Sequence, residues 1–488
     1  SVYSIRLRKK RSKQKEGAMT YKKVPLGVAE RLVVTGTLVF TSPVLFQEGS
    51  AEGLTDFVIL RDEFDNTPLL PGASLAGALR SYLYDKLPAK DPSSLDHSGV
   101  DQLFGSVRDK VSERSWLIVE EAKGEEAGVE TRDGVKIDPS IQTAEDKGKY
   151  DMELLSSGTS FDIGFELLIP FDSKYHPEVL RILFYAALTA LENGHIHLGA
   201  KKNRGFGQCK VEEWHVHRFL MNNMKDIVRW LKDDRANPEI SEHLYQRLGF
   251  SEEPKLPTSE TLSFRIELGV QRSMMIRSYS TDPKQPDSVH MRNSRGDMIL
   301  PGTSIAGVLR AQARRIAKFK LGSESDADNL VNAIFGSEEP DEKGRLKGSR
   351  LVVSESKISC SSADIIQNRI KIDAFTGGTY PGALFNEIPA IGGTTEIRLD
   401  ISRPSDAEAA LLLLLVRDLW EGMLSIGGES SIGRGFLTGI TGGMQWKGHE
   451  YTFTTSNGLF SLDADPAFTD KLLAALQPIE SEATTEQP

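Results

Sequence analysis

Two cysteines, Cys209 and Cys360, in 488 residues are too few for a disulfide framework or a cysteine-built zinc site. Long apolar runs are missing too. The richest, Ala409 to Val416 (AALLLLLV), stops at Arg417 and Asp418 and is too short to span a bilayer, so a buried helix is expected and a membrane partner is not. The basic, polar opening residues have no apolar stretch behind them, so a secretory signal is not expected and the cytoplasm is the expected compartment. Net positive charge is absent as well. At −10 overall, the chain as a whole does not have the surface of a simple nucleic-acid binder. The charge is uneven, however: between Ser1 and Lys23 nine Lys and Arg stand against Glu16 alone, which leaves about −18 on the rest. Such an arm suits phosphate neutralisation by counterion release, and reads equally as a solvated tail. Any RNA groove elsewhere must be local or shared with more basic partners.

What is present is a repeat. Pro71 to Arg80 (PGASLAGALR) returns as Pro301 to Arg310 (PGTSIAGVLR), and Leu103-Phe104-Gly105-Ser106 returns as Ile334-Phe335-Gly336-Ser337. Val135-Lys136-Ile137-Asp138 returns as Ile370-Lys371-Ile372-Asp373. Leu198-Gly199-Ala200 with Arg204-Gly205-Phe206 returns as Ile426-Gly427-Gly428 with Arg434-Gly435-Phe436. Four landmarks in one order at a nearly constant offset make a tandem duplication, and a length of 488 residues suits two cores.

Each copy has the same coarse plan. Alternating apolar residues over Leu32 to Phe40, and at Phe264, Ile266, Leu268 and Val270, predict strands with one buried face. The Pro-Gly turn follows, with Ser74 or Ser304 as the expected cap of an apolar helix. A second alternating strand is expected at Ile163 to Leu167 and at Ile397 to Ile401. A long helix then starts near Pro177 in the first copy, and in the second at Ser405-Asp406-Ala407-Glu408, which has the form of a capping box. Strand, helix, strands, helix, strand is an α+β module of ferredoxin-like type.

The closing motifs, Gly199 to Gly207 (GAKKNRGFG) and Gly427 to Gly435 (GGESSIGRG), are glycine-dense. Glycines let backbone approach closely and expose amides to anions, arginine can grip a phosphate with two prongs, and phenylalanine can stack on a base or pack inside. A tight turn between helix and strand would use the same residues. No Gly-Lys-Ser/Thr follows at the spacing a nucleoside-triphosphate loop requires.

Taken together, the glycine-rich closing loop, the PG[AT]S block and the FGS between them resemble the RAMP superfamily of repeat-associated CRISPR proteins. The resemblance covers roughly residues 30–215 and 260–440, and is nearest to the subunits that line the guide RNA in type III effector complexes; a fused pair resembles the double-module subunit of type III-D complexes. It implies two tandem ferredoxin-like (RRM-like) modules with β-hairpin thumb insertions, matched to stretches following Asp138 and Asp373. It implies an arm at 1–28, modules at 29–214 and 259–446, a helical linker at 215–258 and a C-terminal extension at 447–488. The implied partners are guide crRNA, complementary target RNA, a large polymerase-like subunit and further modules of this kind. By position in the family pattern Asp56 (in DFVILRD) and Asp287 (in DSVHMRN) are the candidates for target cleavage and for holding Mg2+ or another divalent metal; Asn293 stands where a second aspartate is usual. Arg204 and Arg434 are implied guide-phosphate contacts, joined by Lys201, Lys202, Phe206, Phe436, Arg80 and Arg310 as RNA-binding residues. The alternatives are a scaffold without chemistry and a nuclease that trims guide precursors. The last would call on His195 or His197, which have no counterpart in copy two and, like His215 and His217, read as surface residues rather than zinc ligands.

Overall fold

A computed structural model describes residues 27–47, 57–91, 93–108, 111–138, 143–172, 176–255, 260–278, 286–337, 340, 344–360 and 365–477. The basic arm up to residue 26, Asp56 and the last residues from 478 lie outside them. In the first module the elements are β1 (Val28–Phe40), α1 (Gly72–Lys86), α2 (His97–Phe104), β2 (Leu117–Val119), β3 (Ala122–Glu125), β4 (Val129–Asp138), β5 (Thr143–Leu155), β6 (Ser160–Pro170), α3 (Pro177–Glu192) and β7 (Cys209–Leu220). α4 (Met224–Leu231) lies between the modules. The second module has β8 (Thr261–Val270), β9 (Arg277–Ser278), β10 (Ser288–His290), α5 (Gly302–Leu321), α6 (Glu324–Phe335), β11 (Leu351–Val353) and β12 (Ser356–Ser359). It continues with β13 (Gln367–Ile372), β14 (Thr379–Ile388), β15 (Thr394–Ser402), α7 (Asp406–Trp420), β16 (Leu437–Trp446), β17 (His449–Ser456), β18 (Leu459–Asp463) and α8 (Pro466–Ala474).

Both sheets are built on the same order. In the first, β7 pairs with β1, β1 with β6, and β6 with β2 and β3; in the second, β16 pairs with β8, β8 with β15, and β15 with β11 and β12. These named pairs are all antiparallel. Each sheet turns one face to its helices, and the alternation read from the sequence is why: Leu32, Val34 and Leu38 of β1, like Leu262, Phe264, Ile266 and Leu268 of β8, are fully buried. Two separate cores result, one per module. The leucine-rich run lies in α7, buried from Ala409 to Val416, behind a capping box in which Ser405 Oγ accepts from Glu408 N–H and Glu408 accepts from Ser405 N–H. Among the described residues no helix is long and apolar enough to cross a membrane.

Four expectations change. Ser74 and Ser304 cap nothing: α1 and α5 start one residue after Pro71 and Pro301, whose side chains cannot accept a hydrogen bond. The insertion hairpins begin earlier than the aspartates that were to mark them. β4 pairs with β5 from Val129 to Asp138, and β13 with β14 from Gln367 to Ile372, so Asp138 and Asp373 stand toward the tips. Both outgoing strands carry a register shift at the repeated motif, between Val135 and Ile137 and between Ile370 and Ile372. Finally, the expected extension is part of the second sheet, since β17 and β18 add to β16 and α8 packs on α7. The expected linker likewise begins inside β7, and Glu239 N–H bonds back to Val216 O.

The modules meet across polar contacts. Arg132 on β4 is buried between Glu130 of its own strand (2.8 Å) and Glu355 of the second module. Burial opposes its charge, but the two carboxylates outweigh that and hold the guanidinium firmly protonated. Ser294 N–H donates to the other oxygen of Glu130 at 3.1 Å. Arg403 reaches the carbonyls at the end of α1, those of Tyr84 (2.8 Å), Asp85 and Leu87. Gln208 Nε2 donates to Ser354 Oγ at 3.0 Å.

Candidate nucleic-acid interface

Asp287 is exposed and immediately precedes β10, which runs parallel to the returning hairpin strand β14: Ser288 faces Glu387 and Val289 faces Ile388. The Asn386 amide donates to Asp287 Oδ2 at 3.0 Å, so the carboxylate is fixed against the root of the hairpin. The first module repeats this backbone. Phe57, next after Asp56, makes a parallel bridge to Met152 of β5, and Glu153 N–H donates to Phe57 O at 3.0 Å. Asp287 has no proton shuttle in the nearest imidazole: His290 is 0% exposed, bonded to Ile299 O and to Ile276 N–H, and burial holds it neutral.

The closing loops superimpose by their hydrogen bonds, and the superposition overturns the pairing of the two Arg-Gly-Phe triplets. Leu198 N–H donates to Gly207 O as Ile426 N–H donates to Gly435 O, both at 2.9 Å; Gly207 N–H donates to Pro43 O as Gly435 N–H donates to Ser273 O. Lys201 and Glu429 share the left-handed region (φ 52° and 67°), as do Gly207 and Gly435 (69° and 81°). A Cβ on Gly207 would lie 1.7 Å from Leu198 O, so glycine is required there. Phe206 therefore occupies the place of Arg434, and Arg204 that of Ile432. The two triplets are out of step by two residues.

That one place is filled in opposite ways. Phe206 is 2% exposed and packs with Leu45, Met152 and Leu154, so it is a core residue and not a platform for a base. Arg434 is 4% exposed and bonded to Glu387 (2.9 Å), Glu429 and Gln367 (2.6 Å), so its guanidinium is consumed inside the protein and not offered to a phosphate. Arg369 joins both carboxylates at 3.1 Å, and Arg277 joins Glu429 at 2.6 Å. Burial pushes the Glu429 carboxyl up, but the Arg277 hydrogen bond and the neighbouring guanidiniums prevail and hold it below its usual range. This ionic cluster was invisible in the sequence, because its members stand at 277, 367, 369, 387, 429 and 434 and meet only when the hairpin folds.

The remaining candidates divide. Lys201 Nζ lies 3.9 Å from the Tyr150 ring and 5.4 Å from that of Phe57, so it is held as a cation over aromatics beside the first hairpin. Arg80 pairs with Asp101 at 2.8 Å and Arg310 donates to Asn332 and to Gly336 O; both tie the Pro-Gly helix to the next one. Phe436 is half-buried at the start of β16, with its carbonyl taken by Gln271 N–H. Arg204 lies in a loop pressed on the second module, where a Cβ on Gly302 would meet Arg204 O at 2.6 Å. Lys202 lines a cavity of about 370 Å³ together with Phe46, Ser74, Gly77, His197 and Gly199, between the first turns of α1 and the closing loop. Gly77 and its repeat Gly307 are exposed with nothing within 4 Å of where a Cβ would be. Nothing in the fold calls for glycine there, and in a helix it costs about 1 kcal/mol relative to alanine.

The histidines are less superficial than expected: His217 is buried and His197 half-buried, its Nδ1 against Lys202 O at 3.2 Å. Burial lowers the pKa of both. Among the described residues no group of three or more His, Cys, Asp or Glu gathers as metal ligands, so the described side chains do not fit a metal cage around Asp287.

A duplicated α+β module with a glycine-rich closing loop and a paired hairpin in each copy defines a class of tandem two-module proteins. The family model described as the RAMP superfamily matches residues 37–210 and 263–438, and the chain belongs to that superfamily. It is also similar to the CRISPR system Cms endoribonuclease Csm3 of Streptococcus thermophilus, 26% identical over 176 residues, which is 34% of this chain and 78% of that protein.

Proposed function

We propose that the chain is a backbone subunit of a type III CRISPR effector complex, binding guide crRNA and cutting the paired target RNA at two sites, one per module. The likeness to an endoribonuclease named for a CRISPR system supports the class of activity. The observation that carries the reading is Asp287 at the root of the second hairpin; Phe57, next after Asp56 in the sequence, supports a second site by the same parallel register, Phe57 to Met152 as Ser288 to Glu387. In this reading the modules are ferredoxin-like (RRM-like), which the order β7-β1-β6 and its counterpart β16-β8-β15 support, and the hairpins β4–β5 and β13–β14 are the thumbs. The second hairpin exposes Ile370, Ile372, Tyr380 and Leu384, apolar side chains suited to parting stacked bases.

Guide RNA runs over the open faces of α1 and α5. Gly77 and Gly307 let a sugar-phosphate chain approach the helix closely, and Lys202 supplies charge at the cavity beside Gly77. The thumb forces the target out of helical stacking, so that a ribose 2′-OH stands in line with its own phosphate; placement of that kind supplies much of the rate. The 2′ oxygen bonds to phosphorus as the bond to the 5′ oxygen breaks, the carboxylate of Asp56 or Asp287 accepts the 2′ proton, and water protonates the departing 5′ oxygen, leaving a 2′,3′-cyclic phosphate and a 5′-hydroxyl.

The test is the complex assembled with guide RNA and end-labelled complementary target, comparing wild type with Asp56→Ala, Asp287→Ala and the double variant. Each single change is expected to remove one product by more than about a hundredfold while target binding persists. If all four proteins cut alike, or none cuts, the chain is a guide-holding scaffold.

A further inference from the structure

We propose that the ionic cluster in which Arg369 and Arg277 reach from the surface to the buried Glu387 and Arg434 and to Glu429 is the positioning apparatus of Asp287, a task for which the first module uses other parts. The proposal rests on the reading of Asp287 as a cleavage residue. It starts from which backbones the cluster joins. Glu387 faces Ser288 in the parallel ladder, next to Asp287, and the amide of its neighbour Asn386 holds the Asp287 carboxylate. Arg369 comes from the outgoing strand of the hairpin, Arg277 from the strand paired with β10, and Arg434 and Glu429 from the closing loop. These described segments near Asp287 are therefore cross-tied through two carboxylates.

Such ties are directional, because a guanidinium bonds a carboxylate only at particular angles. Contacts between apolar side chains fix separation far more than orientation. In the first module Met152 stands where Glu387 stands, and Phe206 where Arg434 stands. There the hairpin root is fixed from outside, by Arg132 to Glu355 across the module boundary. In the second module the described ties of the hairpin root run through Glu387 and Glu429 and stay inside the module.

The experiment uses the first module as a control inside each reaction. The double substitution E387M/R434F installs the pair that the first module already accommodates at this place. The full chain is assembled with guide RNA, and the two products are timed at saturating target, beside wild type and Asp287→Ala. Expected is a fall of about tenfold in the second-module product relative to the first, with target Kd and the melting midpoint unchanged, since small misplacements of a reacting group cost that much or more. A merely space-filling cluster would leave that ratio alone, and an unchanged ratio overturns the proposal. If both products fall together the fold has suffered, and Arg369→Met, which removes only a partly exposed arm of the cluster, decides: the ratio must drop by about threefold, and no drop overturns the proposal. If Asp287→Ala leaves the second product intact, the cleavage reading itself fails and the positioning of Asp287 with it.

Discussion

Where the closing loop meets the insertion hairpin the first module packs apolar side chains and the second ionic ones, on loop backbones that share their principal hydrogen bonds. Phe206 and Met152 hold in one the places that Arg434 and Glu387 hold in the other, and Lys201 that of Glu429. The next cross-strand pair differs in the opposite sense: Asp133 faces Asp151 in the first hairpin, and the neutral Asn368 faces Asn386 in the second. Duplication has kept the path of the chain and released the chemistry inside it. A buried position tolerates either solution provided that its partners change with it, for a charge without its partner, or a partner without its charge, is what costs most.

The sharpest way to break the comparison is at the boundary between the modules. Arg132→Met leaves Glu130 and Glu355 buried without their cation, and is expected to cost about 3–5 kcal/mol in denaturant unfolding. Arg434→Phe alone is expected to cost about 2 kcal/mol, less because Arg369 still holds Glu387. Adding Glu387→Met should return most of that loss, and a double-mutant cycle showing no coupling would contradict the matched-pair account. Smaller again, Gly77→Ala should stabilise the protein by about 1 kcal/mol while weakening guide binding in a filter assay. Stabilisation with unchanged affinity would remove the open helix face from the RNA path.

The smallest effect concerns the two aspartates. Burial pushes the Asp133 carboxyl up, Lys149 pulls it down, and the hydrogen bond to Asp151 leaves it above its usual range. A carboxyl raised in the folded state stabilises below the ordinary carboxylate range and loses that contribution as pH rises through its folded value. Asp151→Asn, which copies the second module, should therefore flatten the decline in urea midpoint between acid and neutral pH. A decline of wild-type steepness in the variant would show that the pair does not share a proton.

Much of the fold was legible because it rests on periodicity. β1, β8, β6 and β15 follow alternation, and α7 follows its capping box and leucine run. Ser74 and Ser304 misled because serine two residues inside a Pro-Gly start looks like a cap, while the chain turns at the proline. The closing loops misled in another way. Arg-Gly-Phe occurs in both, yet the left-handed residues and the paired glycine carbonyls set the register, and these place Phe206 over Arg434. Whether a side chain in such a loop is buried depends on what stands across the hairpin, at residue 152 or 387, and no local pattern reports that. The position of Asp287 was legible as part of a motif; the amide that holds it, on Asn386, was not.

The seam between the modules is polar: Arg132 with Glu355, Gln208 with Ser354, Lys86 with Thr261, and Arg403 on the carbonyls ending α1. Contacts of this kind lose much of their worth to desolvation and would hold two free proteins only weakly. Here one polypeptide joins the partners, so each meets the other at an effective concentration in the millimolar range. Covalent linkage thus relieves the seam of the need for an apolar patch that would be sticky before assembly. It also makes the ratio of the two modules one to one by genetics rather than by binding equilibrium.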